Sequence, residues 1–152
     1  MTGRPADQKW TIRRLDTAEV DVVGRDLGLA RLHQGDGFYL VAWEDTRPVG
    51  HCHLALSDPP ELQDVEVAPR DRRRGVASAL VAAAEAEARA RGAAELRLEL
   101  SVDDPVASAL YRSRGYADAG LPHRRVTGTI HIRTGPIEVD DTLVTWTKRL
   151  RV

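Results

Sequence analysis

One strand–helix–strand unit constrains the fold of this chain more than any other feature. Residues 94–102 alternate strictly between apolar and polar residues, which is the period of a strand with one buried face. Residues 75–91 carry apolar residues at helical spacing, and Gly92 is a natural stop for that helix. The run at 62–67 is a further strand pattern. Two strands joined by one helix pair in parallel, so we predict a mixed α/β domain with a parallel crossover.

The rest of the chain alternates strand patterns with two further helix patterns. Two early strands are joined by the turn sequence at 44–48 and form an antiparallel meander. After the unit, Asp104 caps a short helix that has Pro105 in its first position. The predicted elements are, in order, a strand at 10–15, a helix from Asp16 or Thr17, strands at 38–43 and 49–56, the unit, the helix from Asp104, a hairpin around 134–136 and a last strand near 143–148.

The helix patterns also predict side-chain directions. In the helix at 75–91, Glu85 and Arg89 form an i,i+4 pair on the outer face. In the short helix, Val106 and Leu110 face inward. We therefore expect Tyr111, one residue further on, to present an exposed hydroxyl.

The composition excludes several classes of protein. With 152 residues, 42% hydrophobic and 30% charged, the chain suits one soluble globular domain. With a net charge of -1 the chain has no overall positive potential that would attract nucleic acid. No apolar run approaches the roughly 20 residues of a membrane span. The single cysteine, Cys52, excludes an intrachain disulfide and a zinc site of paired cysteines. Since residues 1–9 lack a secretory signal, we predict a flexible N-terminus there, a single domain at 10–152 and a cytoplasmic location.

The strand at 62–67 departs from strict alternation. Its apolar residues are Leu62, Val65 and Val67, so the period of two breaks between Leu62 and Val65. One extra residue at such a break is the mark of a β-bulge. We therefore predict a bulged strand directly before the helix of the unit.

The sequence between this strand and the helix places cations where a helix disfavours them. A helix N-terminus carries partial positive charge, yet Arg72, Arg73 and Arg74 stand directly before it. An anion bound there removes the conflict, because backbone N–H groups, dipole and guanidinium groups all point at it. Gly75 and Ala77 lack bulk, which lets the backbone approach a phosphate. The alternative is a solvated basic turn; the flanking strand and helix favour the anion site.

Other phosphate-binding and hydrolytic motifs are absent from the sequence. A P-loop needs a lysine directly after a glycine, and the only lysines, Lys9 and Lys148, do not meet that condition. The three-glycine dinucleotide fingerprint and the kinase motifs are also missing. No Gly-x-Ser-x-Gly elbow supports a serine hydrolase. The predicted anion site therefore binds a phosphate ligand other than those that P-loop, dinucleotide-binding and kinase motifs bind.

Three stretches in register resemble the GNAT superfamily of N-acetyltransferases. The family motif, Arg or Gln-x-x-Gly-x-Gly or Ala, is met by Arg72, Gly75 and Ala77. The run at 62–69 is similar to the family's bulged fourth strand, and residues 107–116 are similar to its later helix and the strand that follows. The resemblance implies a GNAT-type acyl-CoA N-acyltransferase fold of class α/β: a mixed, mostly antiparallel sheet with a bulged fourth strand and helices on both faces.

The resemblance also implies an activity, which is direct transfer of the acetyl group of acetyl-CoA to a primary amine of a small molecule or peptide, without a metal. Tyr111 would be the general acid and Glu61 the general base. Asp104 stands where the family often has asparagine, and a carboxylate cannot donate the hydrogen bonds of an amide. The implied cofactor-binding residues are Val65 and Val67 through their backbone, Arg72, Arg73, Arg74, Gly75, Val76 and Ala77 around the pyrophosphate, and Asp104.

The chemistry of acetyl transfer gives independent reasons for these residue types. An amine must lose a proton before or during its attack on the thioester carbonyl, and a carboxylate can accept that proton. A strand amide can stabilise the oxyanion. The leaving thiolate is a moderate base, with a thiol pKa of about 8.5. A tyrosine hydroxyl can therefore deliver a proton to it.

Several of these roles have competing interpretations. Glu61 also fits a solvated glutamate at the start of a strand, and Tyr111 fits a packing tyrosine. His51 and His53 share one strand face, but no third ligand lies at a matching spacing, so we predict no metal site. The alternatives for the general base are Asp64, Glu66, Glu99, His51, His53 and water.

No motif identifies the acceptor, so protein N-termini, lysines, aminoglycosides, polyamines and amino acids all stay open. The segment at 123–141 is long for a connection between final strands. It is interpreted as a hairpin that closes over the acceptor, as a homodimer interface, or as a solvated loop. Two further function classes compete: a non-catalytic acyl-CoA-binding module of the same fold, and nucleic-acid binding through Arg70 and the arginines after it. The near-neutral charge disfavours the second.

Overall fold

Eight strands in one mixed sheet and three α-helices make up the part of the chain that the structure, a computed structural model, describes: residues 10–32, 35–132 and 134–150. The predicted flexible N-terminus at 1–9 lies outside these residues. None of the described helices is long and apolar enough to cross a membrane. The strands are β1 (Thr11–Arg14), β2 (Gly37–Glu44), β3 (Arg47–Ala55), β4 (Glu61–Val67), β5 (Glu95–Ser101), β6 (Ala117–Asp118), β7 (Arg124–Ile132) and β8 (Gly135–Arg149), and the helices are α1 (Val20–Leu27), α2 (Val76–Ala90) and α3 (Pro105–Ser113).

The strand order confirms the predicted parallel crossover. The sheet runs β1-β2-β3-β4-β5-β8-β6, and β7 pairs with β8. β4 and β5, which α2 connects, are parallel, whereas the other strand pairs of the described sheet are antiparallel. The parallel ladder contains only Glu61 with Arg97 and Leu62 with Leu98. Beyond these two pairs β4 and β5 separate, and we call this opening the fork.

Helices cover both faces of the sheet, as predicted. On one face, the α2 face, Leu80 of α2 packs with Leu54 of β3 and Leu98 of β5, and each of these side chains is at most 1% exposed. On the other face, the α1 face, Val23 of α1 packs against Val41 of β2. Neighbouring residues of a strand point to opposite faces, so each strand contributes to both.

The predicted bulge lies in β4. Two residues of β4, Asp64 and Val65, stand opposite the single residue Cys52 of β3. Asp64 has a φ of 50°, in the left-handed region that non-glycine residues seldom occupy. The bulge bends β4 at the level where it leaves β5, and this bend helps to open the fork.

One prediction about α2 is wrong. Glu85 does not face outward with Arg89; its side chain is 2% exposed on the α2 face. It accepts hydrogen bonds from the Tyr116 hydroxyl (2.9 Å), Arg114 Nη2 (3.1 Å) and Lys148 Nζ (3.0 Å). These partners come from β8 and from the end of α3, so the periodicity of α2 alone could not indicate them.

The predicted inward direction of Val106 is also wrong. Val106 is 79% exposed, whereas Ala107 and Leu110 are the partly buried apolar residues of α3 that pack against the core. Tyr111 lies on the inward side instead and is 8% exposed. Its ring packs edge-to-face on Tyr116, with centroids 5.8 Å apart and an interplanar angle of 74°.

The late segment forms the predicted hairpin as a β-ribbon, and most of the described side chains that extend beyond the sheet are exposed. A role of this ribbon over the acceptor or in a homodimer stays a prediction. β7 and β8 pair from Arg124 with Leu143 to Ile132 with Gly135. β8 is 15 residues long, and only its second half also pairs with β5. The first half of β8 and most of β7 therefore extend as a two-stranded ribbon beyond the rest of the sheet.

We predict that Leu80→Ala lowers the free energy of unfolding by about 3 kcal/mol, because it removes a fully buried side chain and leaves a cavity under α2. Leu121→Ala is the matched control, since Leu121 is 41% exposed, and it should change the free energy by no more than about 0.5 kcal/mol. Urea denaturation measures both values. Equal losses in the two variants would contradict this assignment of the core.

Candidate active site

A cavity of about 760 Å³ lies at the fork, between β4, the start of α2 and one side of α3. Its lining includes all but two of the catalytic and cofactor-binding residues that the family resemblance implies; the exceptions are Arg74 and Glu61. We call it the donor cavity. The predicted residues that line it are Val65, Val67, Arg72, Arg73, Gly75, Val76, Ala77, Asp104 and Tyr111.

One end of the donor cavity is the N-terminus of α2. Gly75 is the N-cap residue, with a φ of 86°, and no side chain of the described residues caps this helix. The first turn also holds no acidic residue. The amides of the first helical residues, among them Val76 and Ala77, are therefore free to bind an anion, and the helix dipole favours one there.

The arginines of the loop divide into two groups. Arg72 and Arg73 line the donor cavity, and the side chain of Arg72 is 60% exposed. Arg74 points away from the cavity, and its guanidinium donates to Asp71 Oδ1 (2.7 Å) and Glu44 Oε2 (2.6 Å). The loop can therefore present two guanidinium groups to an anion, whereas the side chain of Arg74 ties the loop to the turn between β2 and β3.

Asp71 is the anchor of this loop, and the sequence reasoning missed it. Its side chain is 1% exposed and accepts two hydrogen bonds from Arg47 (2.7 and 3.0 Å) and one from Arg74. The hydrogen bonds from Arg47 are the main cause that holds the pKa of Asp71 below its usual range. The signal that the sequence offered for this role was a single acidic residue inside a run of arginines.

Tyr111 and Asp104 meet the donor cavity from α3. Burial raises the pKa of Tyr111 to about 12, with a smaller contribution from the nearby Cys52, so its hydroxyl is protonated at neutral pH. Asp104 caps α3 as predicted, since its Oδ1 accepts from the Ala107 amide at 3.0 Å. That carboxylate oxygen is engaged by the helix, and a contact from Asp104 to a cofactor stays a prediction.

Glu61 lies at the base of the fork but outside the donor cavity. Leu62 packs on the α2 face, so Glu61 beside it points to the α1 face. Its Oε2 accepts a hydrogen bond from Gln63 Nε2 at 2.6 Å. The structure thus places Tyr111 and Glu61 on opposite faces of the sheet, one on each side of the fork.

Two other carboxylates near the fork, Glu99 and Asp64, are more heavily engaged than Glu61. Glu99 accepts two hydrogen bonds from Arg124, at 3.0 and 2.7 Å. Asp64 accepts from the Tyr39 hydroxyl at 2.6 Å and from the Ala30 amide at 3.1 Å. The remaining carboxylate, Glu66, lies 3.7 Å from Arg72 Nη2.

The two predicted strand histidines are buried on the α1 face, at 0% and 1% exposure. The ring nitrogens of His51 contact the carbonyl oxygens of Gly28 (2.5 Å) and Asp64 (3.1 Å). His53 Nδ1 lies 3.0 Å from Gln63 Oε1. Within the described ranges, no group of three or more His, Cys, Asp or Glu side chains is arranged to hold a metal ion.

A second cavity, of about 680 Å³, lies on the α1 face between α1, β4 and the ribbon. Gly28 and Asp64 line it, and His131 and Thr134 reach it from the ribbon. Glu66 lines both this cavity and the donor cavity. The two cavities therefore approach each other across β4.

Comparison with known proteins identifies relatives of the whole fold. The model of the "Acetyltransferase (GNAT) family" matches residues 8–116. Among solved structures, the ribosomal-protein-S18-alanine N-acetyltransferase of Escherichia coli is 19% identical, with a TM-score of 0.72, and the match covers 94% of this chain and 95% of that one. No curated protein matches the sequence.

Two further solved structures share the fold. A GNAT family acetyltransferase from Elizabethkingia anophelis with acetyl-CoA bound is 15% identical, with a TM-score of 0.73, and the match covers 94% of this chain and 99% of that one. The spermidine/spermine N-acetyltransferase of Vibrio cholerae is 14% identical, with a TM-score of 0.70, and the match covers 93% of each chain. At these identities the likeness concerns the fold alone.

The tyrosines provide a pH test of the site. The chain has three, Tyr39, Tyr111 and Tyr116, and burial is the main cause that raises the pKa of each above 10.0. Their contribution to stability is therefore complete below pH 10 and is lost as the pH rises through the folded-state values. We predict that ultraviolet absorbance shows no tyrosinate near pH 10 in the folded protein, and shows it there in urea. Native-state ionisation near pH 10 would contradict the described burial.

Proposed function

The chain belongs to the acetyltransferase (GNAT) family, and we propose that it transfers the acetyl group of acetyl-CoA directly to a primary amine. One observation carries this proposal. A single cavity runs from an uncapped helix N-terminus, along a strand edge that lacks a neighbour, to Tyr111, whose side chain is largely buried. These are sites for a phosphate, for an amide-containing arm and for a leaving group, in that order.

The donor fits the cavity from its phosphate end. The pyrophosphate of acetyl-CoA accepts hydrogen bonds from the free amides of the first turn of α2, and Arg72 and Arg73 neutralise its charge. The pantetheine arm carries amide groups, which pair with the backbone of Val65 and Val67 as an added strand would. The side chains of both valines pack on the α2 face, so only their backbone needs to face the arm.

The reaction takes place in the fork. The amine approaches from the α1 face, Glu61 accepts its proton, and the amine nitrogen bonds to the thioester carbonyl carbon. A backbone amide of β4 stabilises the oxyanion. The carbon–sulfur bond then breaks, and the Tyr111 hydroxyl delivers a proton to the thiolate on the α2 face. The acid and the base lie on opposite faces of the sheet, so the two proton transfers take place at separate positions. Because the amine attacks the thioester directly, the reaction needs no enzyme nucleophile.

The acceptor is an amine that reaches the fork from the α1 face. Relatives of this fold are named for acceptors as different as a ribosomal-protein alanine and spermidine or spermine. The fold therefore serves several amine classes. In this chain the second cavity lies on that face and shares Glu66 with the donor cavity. The acceptor enters through it and meets Glu61, which lines neither cavity, at the base of the fork.

We predict that Tyr111→Phe lowers kcat by about a hundredfold or more, because it removes the proton donor of the leaving thiolate. The variant should bind CoA as the wild type does, since the ring that lines the cavity is kept. Thiol release from acetyl-CoA, measured with a panel of primary amines, gives kcat, and calorimetry gives CoA binding.

The outcomes of this experiment separate the enzyme from its alternative. Turnover of the wild type with an amine, lost in Tyr111→Phe with CoA binding intact, supports the proposal. CoA binding without turnover for any amine would favour the non-catalytic acyl-CoA-binding module. Unchanged kcat in Tyr111→Phe would remove Tyr111 as the acid and leave the acetyl transfer itself standing.

A further inference from the structure

We infer that Gln63 and His53 are positioning residues for Glu61: together they hold one oxygen of its carboxylate and leave the other oxygen for the acceptor amine. This inference rests on the proposed function, in which Glu61 is the general base. The three side chains form a continuous line from β4 to the neighbouring strand β3 on the α1 face. Neither Gln63 nor His53 lines the donor cavity.

The hydrogen bonds of this line can have only one direction. A carboxylate only accepts, so the amide nitrogen of Gln63 donates to Glu61 Oε2, at 2.6 Å. The amide oxygen then faces His53 and can only accept, and it lies 3.0 Å from His53 Nδ1. The hydrogen of the neutral imidazole is therefore on Nδ1, and the lone pair is on Nε2.

The far end of the line is rigid. His53 is 1% exposed, and it stands opposite Gln63 in the antiparallel ladder of β3 and β4. The Tyr39 ring packs edge-on against the imidazole, with centroids 4.9 Å apart. A Cβ atom at Gly37 would meet His53 Cε1 at 2.9 Å as well as the backbone of β3, so glycine leaves room for the ring.

The chemical state of His53 suits a fixed donor. Burial lowers its pKa, while the hydrogen bond with Gln63 acts in the opposite direction. A neutral ring with its hydrogen on Nδ1 keeps the Gln63 amide in the orientation that donates to Glu61. The charged groups that act on His53 are Asp36, Arg31 and Asp64. At the other end of the line, Arg97 is the ladder partner of Glu61, and Arg124, which pairs with Glu99, interacts electrostatically with Glu61.

The two oxygens of Glu61 therefore differ. Oε2 is held by Gln63, whereas Oε1 has no hydrogen-bond partner among the described residues. A general base needs both properties: a fixed carboxylate and an open lone pair directed at the proton that it takes. Among the carboxylates near the fork, Glu99 is held by Arg124 through both oxygens and lacks the second property.

The first test removes the holding group. Gln63→Leu keeps much of the side-chain volume and loses both hydrogen bonds. We expect kcat to fall about tenfold or more, as for loss of a hydrogen bond to a charged group, with an unchanged KM for acetyl-CoA. In a Glu61→Gln background the same change should have little further effect, because the two residues act as one unit. Unchanged kcat, or an equal loss in both backgrounds, would overturn the inference.

The second test uses the pH profile. Gln63→Glu places a second carboxylate beside Glu61, and two neighbouring carboxylates resist double ionisation. The acid limb of the pH profile of kcat/KM should therefore move up by about one unit or more. A purely structural role of Gln63 would lower activity without moving this limb, and an unmoved limb would overturn the inference.

The third test replaces His53 by a matched pair of variants. The Asn side chain offers an N–H near the position of Nδ1, whereas Leu offers none. His53→Asn should keep most of kcat, and His53→Leu should lose as much as Gln63→Leu. Equal activities in the pair would overturn the inference. If the wild type turns over and its turnover depends on Tyr111, the proposed function stands and only the inference about Gln63 and His53 fails.

Discussion

The fold and the site both depend on one constraint, which is that β4 has a partner strand along its whole length on one side only. β3 follows β4 to Val67, whereas β5 leaves it after Leu62. Backbone N–H and C=O groups need partners, so a free edge in the middle of a sheet is costly unless a ligand or water satisfies it. The donor cavity lies along this edge, and in the proposed function the amide groups of the pantetheine arm supply the missing partners.

The bulge makes this constraint compatible with a stable sheet. Asp64 adopts a left-handed conformation, which a β-carbon disfavours, and the surroundings compensate through several contacts. Its carboxylate accepts from Tyr39 and Ala30, and its carbonyl oxygen contacts His51. The same network ties the segment after α1 to β4. One set of hydrogen bonds therefore holds the bulge of β4, a strand that borders both cavities.

The phosphate end shows a similar division of roles among its charges. Cations at a helix N-terminus cost about 0.3–1 kcal/mol each when no anion is present. Asp71 offsets this cost for Arg74, because its carboxylate binds that guanidinium together with the guanidinium of Arg47. Arg72 and Arg73 line the cavity, where Arg72 is 60% exposed and has Glu66 at 3.7 Å. The loop is thus anchored by one arginine and presents two.

Local patterns in the sequence were sufficient to predict the strand–helix–strand unit and the bulge. The alternation of β5, the spacing of α2 and the break between Leu62 and Val65 are all short-range signals. Tyr116, Arg47 and His53, which bind Glu85, Asp71 and Gln63 respectively, are distant from them in sequence, and local periodicity does not specify such contacts. The sequence also could not indicate that Glu61 and Tyr111 lie on opposite faces of the fork.

We propose that the free edge of β4 and the start of α2 together hold acetyl-CoA, and a crystal structure of the protein with CoA tests this. We predict the pyrophosphate within hydrogen-bond distance of the backbone amides at 72–77, the pantetheine arm beside Val65 and Val67, and the sulfur near the Tyr111 hydroxyl. CoA bound elsewhere, or bound with its pyrophosphate away from the N-terminus of α2, would contradict it.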